Sequence, residues 1–391
     1  MTKARQRSKW GAPKTLETCG ICGGRMVGCG SGRIRCSGCK SSCAIGKAAD
    51  MRDPLGVRYN PHTEPLTAMP EGYMPGKLTT LVDEEGKAKL QWVRAQPDEE
   101  ARQAKLKAWV ESLQEQVRGT AKPIAAPKQS TKGSLSSYII GDAHFGMLAH
   151  REEAGEDFDT SIASRDLRLA IDLLVSGAPS SEVGYLVNVG DFLHTNSRRA
   201  TTVESGNLLD VDSRYHRVIR KACDALRYCI ARMLEKHKRV KIFTTPGNHD
   251  PDAARWLALL LAAHYESEPR VEVETSPKVY FYTRFGKTLI GITHGDKTKM
   301  ADLPSIMAAD RAEDWGATKH RYWWTGHIHH TRHQEFRGCF VESFNTLAAS
   351  DAWHHESGYR SVRQMQRIDI DIENGIYNRG IANIGMLRND A

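Results

Sequence analysis

The chain has 391 residues, of which 40% are hydrophobic and 26% are charged, enough to bury the core of one large domain and a smaller one. No apolar run approaches the roughly 20 residues of a membrane span, and no apolar stretch follows the basic N-terminus, so we expect a cytoplasmic protein. Residues 1–52 hold eleven Lys and Arg against two Asp and Glu, while the remaining residues hold 44 against 45. The basic N-terminal segment is therefore either a contact for a phosphate backbone or a solvated tail.

Six of the nine cysteines lie within residues 19–43. Four of them form two CxxC pairs that are separated by thirteen residues, namely Cys19, Cys22, Cys36 and Cys39. This is the spacing of a zinc ribbon, in which four thiolates hold one Zn2+, although Cys29 or Cys43 could replace one of the four. Because so short a segment has little core of its own, we predict a zinc-ribbon-like segment over residues 1–52 with one structural Zn2+. The alternative is a flexible, reduced tail.

Residues 53–133 predict an irregular region, a helix and a linker. The stretch GKLTTLVDEEGKAKLQWVRA is typical of a hairpin that turns at Glu85-Gly86. From Asp98 to about Arg118, apolar residues recur at helical spacing. Residues 119–133, TAKPIAAPKQSTKGS, have the composition of a linker.

From residue 134 the pattern changes, because short apolar strands now alternate with helices. We expect the helices over residues 164–176, 208–237 and 251–265. Alternating strands and helices predict an α/β domain over residues 134–391, with its functional site at the carboxyl ends of the strands.

Five of the predicted strands end in Gly next to Asp, Asn or His. These ends are GDAH at 141–144, GD at 190–191, GNHD at 247–250, HG at 294–295 and GHIH at 326–329. A lone His after a strand is usually a hydrogen-bonded structural residue, but five such ends in one domain are hard to explain in that way. Glycine lets the backbone turn sharply, so that the polar side chains point into one crevice.

These residue types suit a pair of transition metals. Asp, His and Asn offer oxygen and nitrogen ligands of intermediate softness, which bind Mn, Fe, Zn or Co. There are enough of them for two ions with one bridging carboxylate. Two metals about 3.5–4 Å apart clamp a phosphate and supply a hydroxide nucleophile at neutral pH.

In this order, the motifs DxH, GD, GNHD, H and GHxH resemble those of the calcineurin-like metallophosphoesterases over about residues 135–330. The resemblance implies a four-layer α-β-β-α sandwich with a dinuclear centre, preceded in this chain by the zinc ribbon and the helical linker. One metal would be held by Asp142, His144, Asp191 and His329. The second would be held by Asp191 as the bridge, Asn248, His294 and His327. We expect Mn2+ in these sites, with Fe, Zn or Co as alternatives.

The same resemblance implies roles for three more residues. His249 would be the general acid that faces the leaving oxygen, and Asp250 would orient or support it. GDFLHTN is similar to the GDLFHxN of SbcD-type DNA repair nucleases, so His194 would help to steer the scissile phosphodiester. The alternative for His194 is a supporting role behind the metal ligands.

The chain from about residue 76 also resembles a group of tailed-bacteriophage metallophosphoesterases, in KLQWV, GDFLHTN, AHYESEPRVEVETSP and NTLAASDAW. That likeness implies a phage protein in the bacterial cytoplasm. Two departures from the repair nucleases stand out. Only about sixty residues follow His330, so any capping domain is small, and Arg198 and Arg199 replace the Pro-Ser of the repair nucleases. These arginines could meet a nucleic-acid backbone or be surface charge, and the sequence gives no basis for an ATPase partner.

We therefore expect a two-metal phosphodiesterase, most simply a DNA nuclease. The alternatives are a phosphodiesterase of small cyclic or signalling nucleotides, with the same metal centre, and a non-catalytic zinc-ribbon adaptor that binds nucleic acid. The adaptor is disfavoured because every ligand position is intact. A homodimer is possible through the long helix expected over 208–237.

Overall fold

The structure is a computed structural model of the chain, and it describes residues 26–28, 33–36, 42–44, 73–82, 88–351, 355, 358 and 360–389. The chain divides into two compact units, Met1–Lys107 and Ala108–Ala391. The predicted domain limits at residues 52 and 133 stay a prediction. Within the described ranges, no helix is both long enough and apolar enough to cross a membrane.

The first unit contains a small three-stranded antiparallel sheet. Its strands are β1 (Met26–Gly28), β2 (Arg33–Cys36) and β3 (Ser42–Ala44), with β2 in the middle. The backbone of Cys36 pairs with Met26 at the end of β2. The other three predicted zinc ligands, Cys19, Cys22 and Cys39, lie outside the described residues. The structural zinc therefore stays a prediction.

The paired strands of the predicted hairpin and the helix after it are both present, while the predicted turn at Glu85-Gly86 lies outside the described residues. Strand β4 (Tyr73–Val82) pairs antiparallel with β5 (Ala88–Pro97). Helix α1 (Glu99–Val117) follows Asp98, whose carboxylate accepts a hydrogen bond of 2.9 Å from the backbone N–H of Ala101. A side-chain oxygen at this place satisfies one of the unpaired amides of the first helical turn, which explains why the helix begins there.

The second unit is built on two mixed sheets. The first has six strands, in the spatial order β16 (Gly375–Asn383), β15 (Gln364–Asp371), β6 (Thr131–Ile140), β7 (Ser181–Asn188), β8 (Arg239–Thr244) and β9 (Val271–Val273). The second has five strands, in the order β10 (Phe281–Phe285), β11 (Thr288–Ile292), β12 (His320–Thr325), β14 (Phe340–Ser343) and β13 (Arg332–Glu335). Strand β6 begins inside the predicted linker.

Eight helices complete this unit as the structure describes it, counting the end of α1. The others are α2 (Arg151–Ala154), α3 (Thr160–Ser176), α4 (Tyr215–Lys236), α5 (Ala253–His264), α6 (Leu303–Asp310), α7 (Ala312–Ala317) and α8 (Ile384–Asn389). The prediction that a helix starts at residue 208 was wrong by seven residues. Asp212 is tied into the loops instead, because its backbone N–H donates to the Gly146 carbonyl and its carboxylate accepts from the Thr160 N–H.

Alternating side chains divide the unit into four layers. In β6, Leu135 and Ile139 face a core between the two sheets, while Tyr138 and Ile140 face a core shared with α3, α4 and α5. In β12, Trp324 lies in the core between the sheets, and Trp323 packs against α6 on the outer side. The α/β sandwich expected from the sequence is thereby confirmed.

The strand directions determine where a site can form. Strands β6, β7, β8 and β9 are parallel to one another, and so are β11, β12 and β14. Their carboxyl ends therefore lie along one edge of each sheet. Most of the chain after His330 goes into β13 to β16 and α8, which belong to the sandwich. The residues described after His330 form no separate capping domain.

Candidate metal centre

Every predicted metal ligand follows one of the parallel strands. Asp142 and His144 follow β6, Asp191 follows β7, Asn248 follows β8, His294 follows β11, and His327 and His329 follow β12. Strands from both sheets thus contribute, and the tertiary fold brings together side chains that are up to 187 positions apart in the sequence (329 − 142).

Asp142, His144 and His329 form the first cluster of possible ligands. One ligand atom from each residue lies within 4.8 Å of the other two. The Nε2 atoms of His144 and His329 are 3.2 Å apart, and His329 Nε2 is 3.6 Å from Asp142 Oδ1. Three donor atoms therefore converge on one point.

Asp191, His294 and His327 form the second cluster, which Asn248 joins. His294 Nε2 lies 3.1 Å from Asp191 Oδ2 and 3.0 Å from Asn248 Oδ1. The other ring nitrogen, Nδ1, lies 3.0 Å from the backbone carbonyl of Val189 and can only donate to it. A partner of this kind fixes the ring orientation and leaves Nε2 as the ligand atom.

The backbone at these positions is in the left-handed region. Among the described residues, six that are not glycine have positive φ, and five of the six are predicted ligands, with φ between 27° and 70°: Asp142, His144, Asp191, His327 and His329. Such a conformation costs an L-residue roughly 1–2 kcal/mol, although Asp and His tolerate it better than most. The sandwich core holds these turns in place, and the turns aim the side chains inward.

Two glycines allow the loops to approach each other closely. A Cβ atom on Gly247 would lie 2.0 Å from Asp191 Oδ1, and one on Gly190 would lie 2.4 Å from His294 Nδ1. Gly190 also has a φ of 110°. Neither position has room for a side chain, which explains the glycines in the GD and GNHD motifs.

Burial raises the free energy of the negative charges in this site. Asp142, Asp191 and Asp250 are all at most 2% exposed. Burial raises the pKa of Asp142 to about 7, against the attraction of His294, and the Asp191 charge raises it further. The pKa of Asp250 is likewise raised to about 7 by burial and by Asp191. These carboxylates gain stability from any nearby cation.

The Asp191 and His294 pair behaves differently. Burial opposes the charged form of each, but their mutual attraction outweighs it. The pKa of Asp191 falls below its usual range, and the pKa of His294 rises to about 10. For His144, burial and the neighbouring His249 and His329 rings hold the pKa well below its ordinary value. A neutral imidazole is the form that binds a metal.

This donor set fits divalent transition metals. The two clusters offer four imidazoles, two buried carboxylates and one amide oxygen, the mixture that ions of intermediate softness prefer. A metal ion would neutralise the buried negative charge, and it would take the place of the proton between His294 and Asp191. The fit rests on two features, namely converging Nε2 atoms and buried carboxylates that lack enough cationic partners.

The two carboxylates among the predicted ligands do not face solvent. Asp142 and Asp191 are buried beneath it, whereas His327 is exposed and Asn248, His249 and His329 are partly exposed. Of these residues, a phosphate would therefore meet the neutral or protonatable ones first.

The three residues predicted to assist the reaction lie against the clusters. The ring of His249 is 4.8 Å from that of His144, between centroids, and its Nδ1 is 3.0 Å from the His194 carbonyl. His194 is only 2% exposed, and its Nδ1 faces His144 Nδ1 at 3.2 Å. Asp250 accepts hydrogen bonds from the backbone N–H groups of Leu193 and Gly247, at 2.9 and 3.1 Å, and so joins the GD and GNHD loops. The steering role of His194 stays a prediction.

The structure also places residues of the GDFLHTN segment that sequence reasoning left without a role. The Asn196 amide oxygen accepts from the N–H groups of Asp252 and Ala253, both at 2.9 Å, where α5 begins. This contact ties the GD loop to the helix that follows GNHD. The two partners are 56 residues apart, and no local pattern in the sequence pairs them. Arg198 and Arg199 lie just beyond Asn196 on an exposed segment, and no contact brings them into the clusters.

Comparison with known proteins decides the family. Residues 136–357 match the profile of the family described as calcineurin-like phosphoesterase. The match spans more than half of the 391 residues. The chain belongs to the calcineurin-like phosphoesterase family. It is therefore a metal-dependent phosphoesterase, as the resemblance of its motifs implied, and members of this family use divalent metal ions.

Solved structures similar to this phosphoesterase are distant in sequence. An archaeal phosphodiesterase is 14% identical, covering 63% of this chain and 99% of its own, with a TM-score of 0.32. A dimetal phosphatase from Danio rerio is 8% identical, covering 64% of this chain and 99% of its own, with a TM-score of 0.32. Vacuolar protein sorting 29 from Cryptosporidium parvum is 15% identical, covering 64% and 98%, with a TM-score of 0.29. Comparison with curated proteins gives no significant match.

Replacement of Gly247 tests how tightly the centre of this phosphoesterase is packed. Gly247→Ala places a methyl group 2.0 Å from Asp191 Oδ1 and must displace that carboxylate. We expect Mn2+ affinity to fall about 10- to 100-fold, the usual effect of disturbing a ligand's support. Isothermal titration of metal-free protein with Mn2+ measures this effect.

Gly316→Ala is the matched control, because a Cβ there meets no atom within 4 Å. It should leave Mn2+ binding unchanged. Wild-type affinity in Gly247→Ala would contradict the close approach of the GD and GNHD loops.

Proposed function

We propose that this phosphoesterase is a two-metal phosphodiesterase that cleaves DNA, with His249 as the general acid. The first metal would be held by Asp142, His144, Asp191 and His329, and the second by Asp191, Asn248, His294 and His327. When bound, the two ions clamp the phosphate and supply the nucleophile. Mn2+ is the proposed metal.

The position of His249 supports a role as proton donor. Its Nδ1 lies 3.0 Å from the His194 carbonyl and must donate to it, because a carbonyl oxygen only accepts. The other ring nitrogen, Nε2, is therefore available to the leaving oxygen. Its backbone N–H donates to Asp191 Oδ1 at 2.8 Å, which fixes His249 relative to the proposed bridging ligand. A protonated Nε2 would pass its proton to the leaving oxygen as the P–O bond breaks.

The observation that carries the assignment to a polymer is the open face of the centre. The chain after His330 completes the two sheets, and its described residues build no domain above the metal ligands. The exposed Arg198 and Arg199 follow the GD loop and offer two positive charges to a phosphate backbone. Such contacts position a nucleic acid without reading its sequence.

A cleft beside His329 favours a second candidate, a small cyclic or signalling nucleotide. Its other lining residues are mostly polar, including Glu156, Thr346, Ser350, Ser361 and Arg363. The hydroxyls of Ser350 and Ser361 and the carboxylate of Glu156 could bind the sugar of a single nucleotide. Because the cleft could equally hold one nucleotide of a longer strand, DNA remains the first proposal.

The wider setting is also proposed. A second binding site for nucleic acid is proposed in residues 1–52. It is supported by their basic residues and by the zinc-ribbon spacing of Cys19, Cys22, Cys36 and Cys39. We propose a bacteriophage protein that acts in the cytoplasm of the bacterial host, based on the resemblance of its motifs. A homodimer is compatible with this proposal but is not required by it.

Substrate comparison tests both the substrate class and the acid. Mn2+-loaded wild-type protein should cleave labelled single-stranded or duplex DNA and should hydrolyse bis-p-nitrophenyl phosphate. His249→Ala should keep both metals and should lose about 100-fold or more of its activity on DNA. Its loss on the nitrophenyl ester should be much smaller, because nitrophenolate leaves without needing a proton. Rates and metal content are measured on the same samples.

His216→Ala is the matched control, since His216 lies exposed on α4, and it should behave as wild type. RNA and cyclic nucleotides complete the panel. Turnover of cyclic nucleotides alone would contradict the DNA assignment. An equal fall on both esters in His249→Ala would contradict its role as proton donor.

Removal of the two arginine charges tests the proposed backbone contact. Arg198→Ala/Arg199→Ala should weaken DNA binding and reduce the slope of log affinity against log salt by about one to two. Hydrolysis of bis-p-nitrophenyl phosphate should be unchanged. Fluorescence anisotropy at several salt concentrations gives the slope.

The control for this pair is Lys132→Ala/Lys319→Ala. Both lysines are exposed and lie near the amino ends of β6 and β12, at the opposite edge from the metal ligands. Equal salt slopes in the two double variants would remove Arg198 and Arg199 from the DNA-binding surface.

A further inference from the structure

A buried segment passes behind the metal ligands and carries none of them. Residues Phe344 to Ala348, here called the strap, follow β14 and have no regular secondary structure. They are between 1% and 7% exposed. The buried polar groups of an irregular segment at this depth must find hydrogen-bond partners, and those of the strap include two of the ligand loops.

The strap holds the loop that carries Asp142. The Thr346 hydroxyl donates a hydrogen bond of 2.7 Å to the Asp142 backbone carbonyl. The same hydroxyl accepts from the Ala348 N–H at 2.8 Å, so its proton is directed at Asp142. The Leu347 N–H donates to the neighbouring Gly141 carbonyl at 3.2 Å. The strap therefore hydrogen-bonds to two consecutive backbone carbonyls of the DxH loop, those of Gly141 and Asp142.

The strap also holds the loop that carries His327 and His329. The Asn345 amide oxygen accepts from the Thr331 hydroxyl, and Gln364 Nε2 donates to the same oxygen at 2.9 Å. Ser343, just before the strap, donates from its hydroxyl to the His330 carbonyl at 2.5 Å. One short segment thus connects the two loops that supply the first cluster.

The Asp142 backbone needs such a support. Its φ of 27° is unfavourable for a residue with a side chain. Its carboxylate oxygens both lie near the His327 N–H, at 3.0 and 3.2 Å, so a turn of the Asp142 peptide would disturb both loops. The Thr346 hydroxyl is a side-chain donor on the Asp142 carbonyl, and Thr346 is only 6% exposed.

We propose that Thr346 is a positioning residue that sets the geometry of the first metal site through the Asp142 carbonyl. It touches neither metal nor substrate in this role. The second site shares only the His327 loop with the strap, because the His294 ring has a separate support in the Val189 carbonyl. The inference rests on the proposed two-metal function.

Thr346→Val tests the inference, because it removes the hydroxyl and keeps the shape of the side chain. In metal-free full-length protein, we expect Mn2+ titration to show the first site weakened about 10- to 100-fold, as is usual for outer-shell partners of a metal site, and the second site changed much less. Electron paramagnetic resonance at one to two equivalents of Mn2+ should show a signal of single ions where wild type shows a coupled pair. Thr346→Ser should restore wild-type behaviour.

Thr288→Val is the matched control. Thr288 is fully buried, and its hydroxyl has no hydrogen-bond partner among the described residues, so its loss should leave Mn2+ binding unchanged. Thr346→Ala removes the same hydroxyl and provides a second test if the valine does not fit. If either Thr346→Val or Thr346→Ala binds Mn2+ at both sites with wild-type affinity, the inference is overturned. Equal weakening of both sites would overturn it as well, while wild-type protein that binds no Mn2+ would overturn the proposed function beneath it.

Discussion

The burial of three carboxylates in one site is the constraint on which the rest of the structure depends. Asp142, Asp191 and Asp250 lie together beneath a face of imidazole and amide groups. Their mutual repulsion and the loss of hydration raise the pKa of two of them, while Asp191 stays ionised against His294. Isolated buried charges are very costly unless cations compensate them. The site is therefore organised to be completed by metal ions, and its other features can be understood as means to hold it together.

The fold supplies the rigidity that such a site needs. Two parallel strand systems end at the same edge, and each ligand leaves its strand through a tight turn. Five of those turns are left-handed at Asp or His, a strain of roughly 1–2 kcal/mol each that a well-packed core can hold. Gly190 and Gly247 let the loops touch, while Asn196, Asp250 and the strap tie neighbouring loops to one another. These contacts fix the ligand loops relative to one another.

Much of the centre could be predicted from the sequence because its signals are local. A strand, a glycine and a polar residue lie next to each other in the chain, so GD, GNHD and GHIH indicate both the structure and the chemistry. The contacts that were missed join distant positions. Thr346 and Asp142 are 204 residues apart, and the stretch NTLAAS carries no pattern that names its partner. The predicted start of α4 was wrong because tertiary contacts of Asp212, seen only in the fold, end the loop later than helical spacing indicates.

Metal titration of Asp191→Ala beside Asn248→Ala tests the central claim most directly. If Asp191 belongs to both sites, its loss weakens the binding of both Mn2+ ions, whereas the loss of Asn248 weakens the binding of only one. Calorimetry would then show two weakened sites in the first variant and one in the second. An Asp191→Ala protein that keeps one site at wild-type affinity would contradict a dinuclear centre built around a single shared carboxylate.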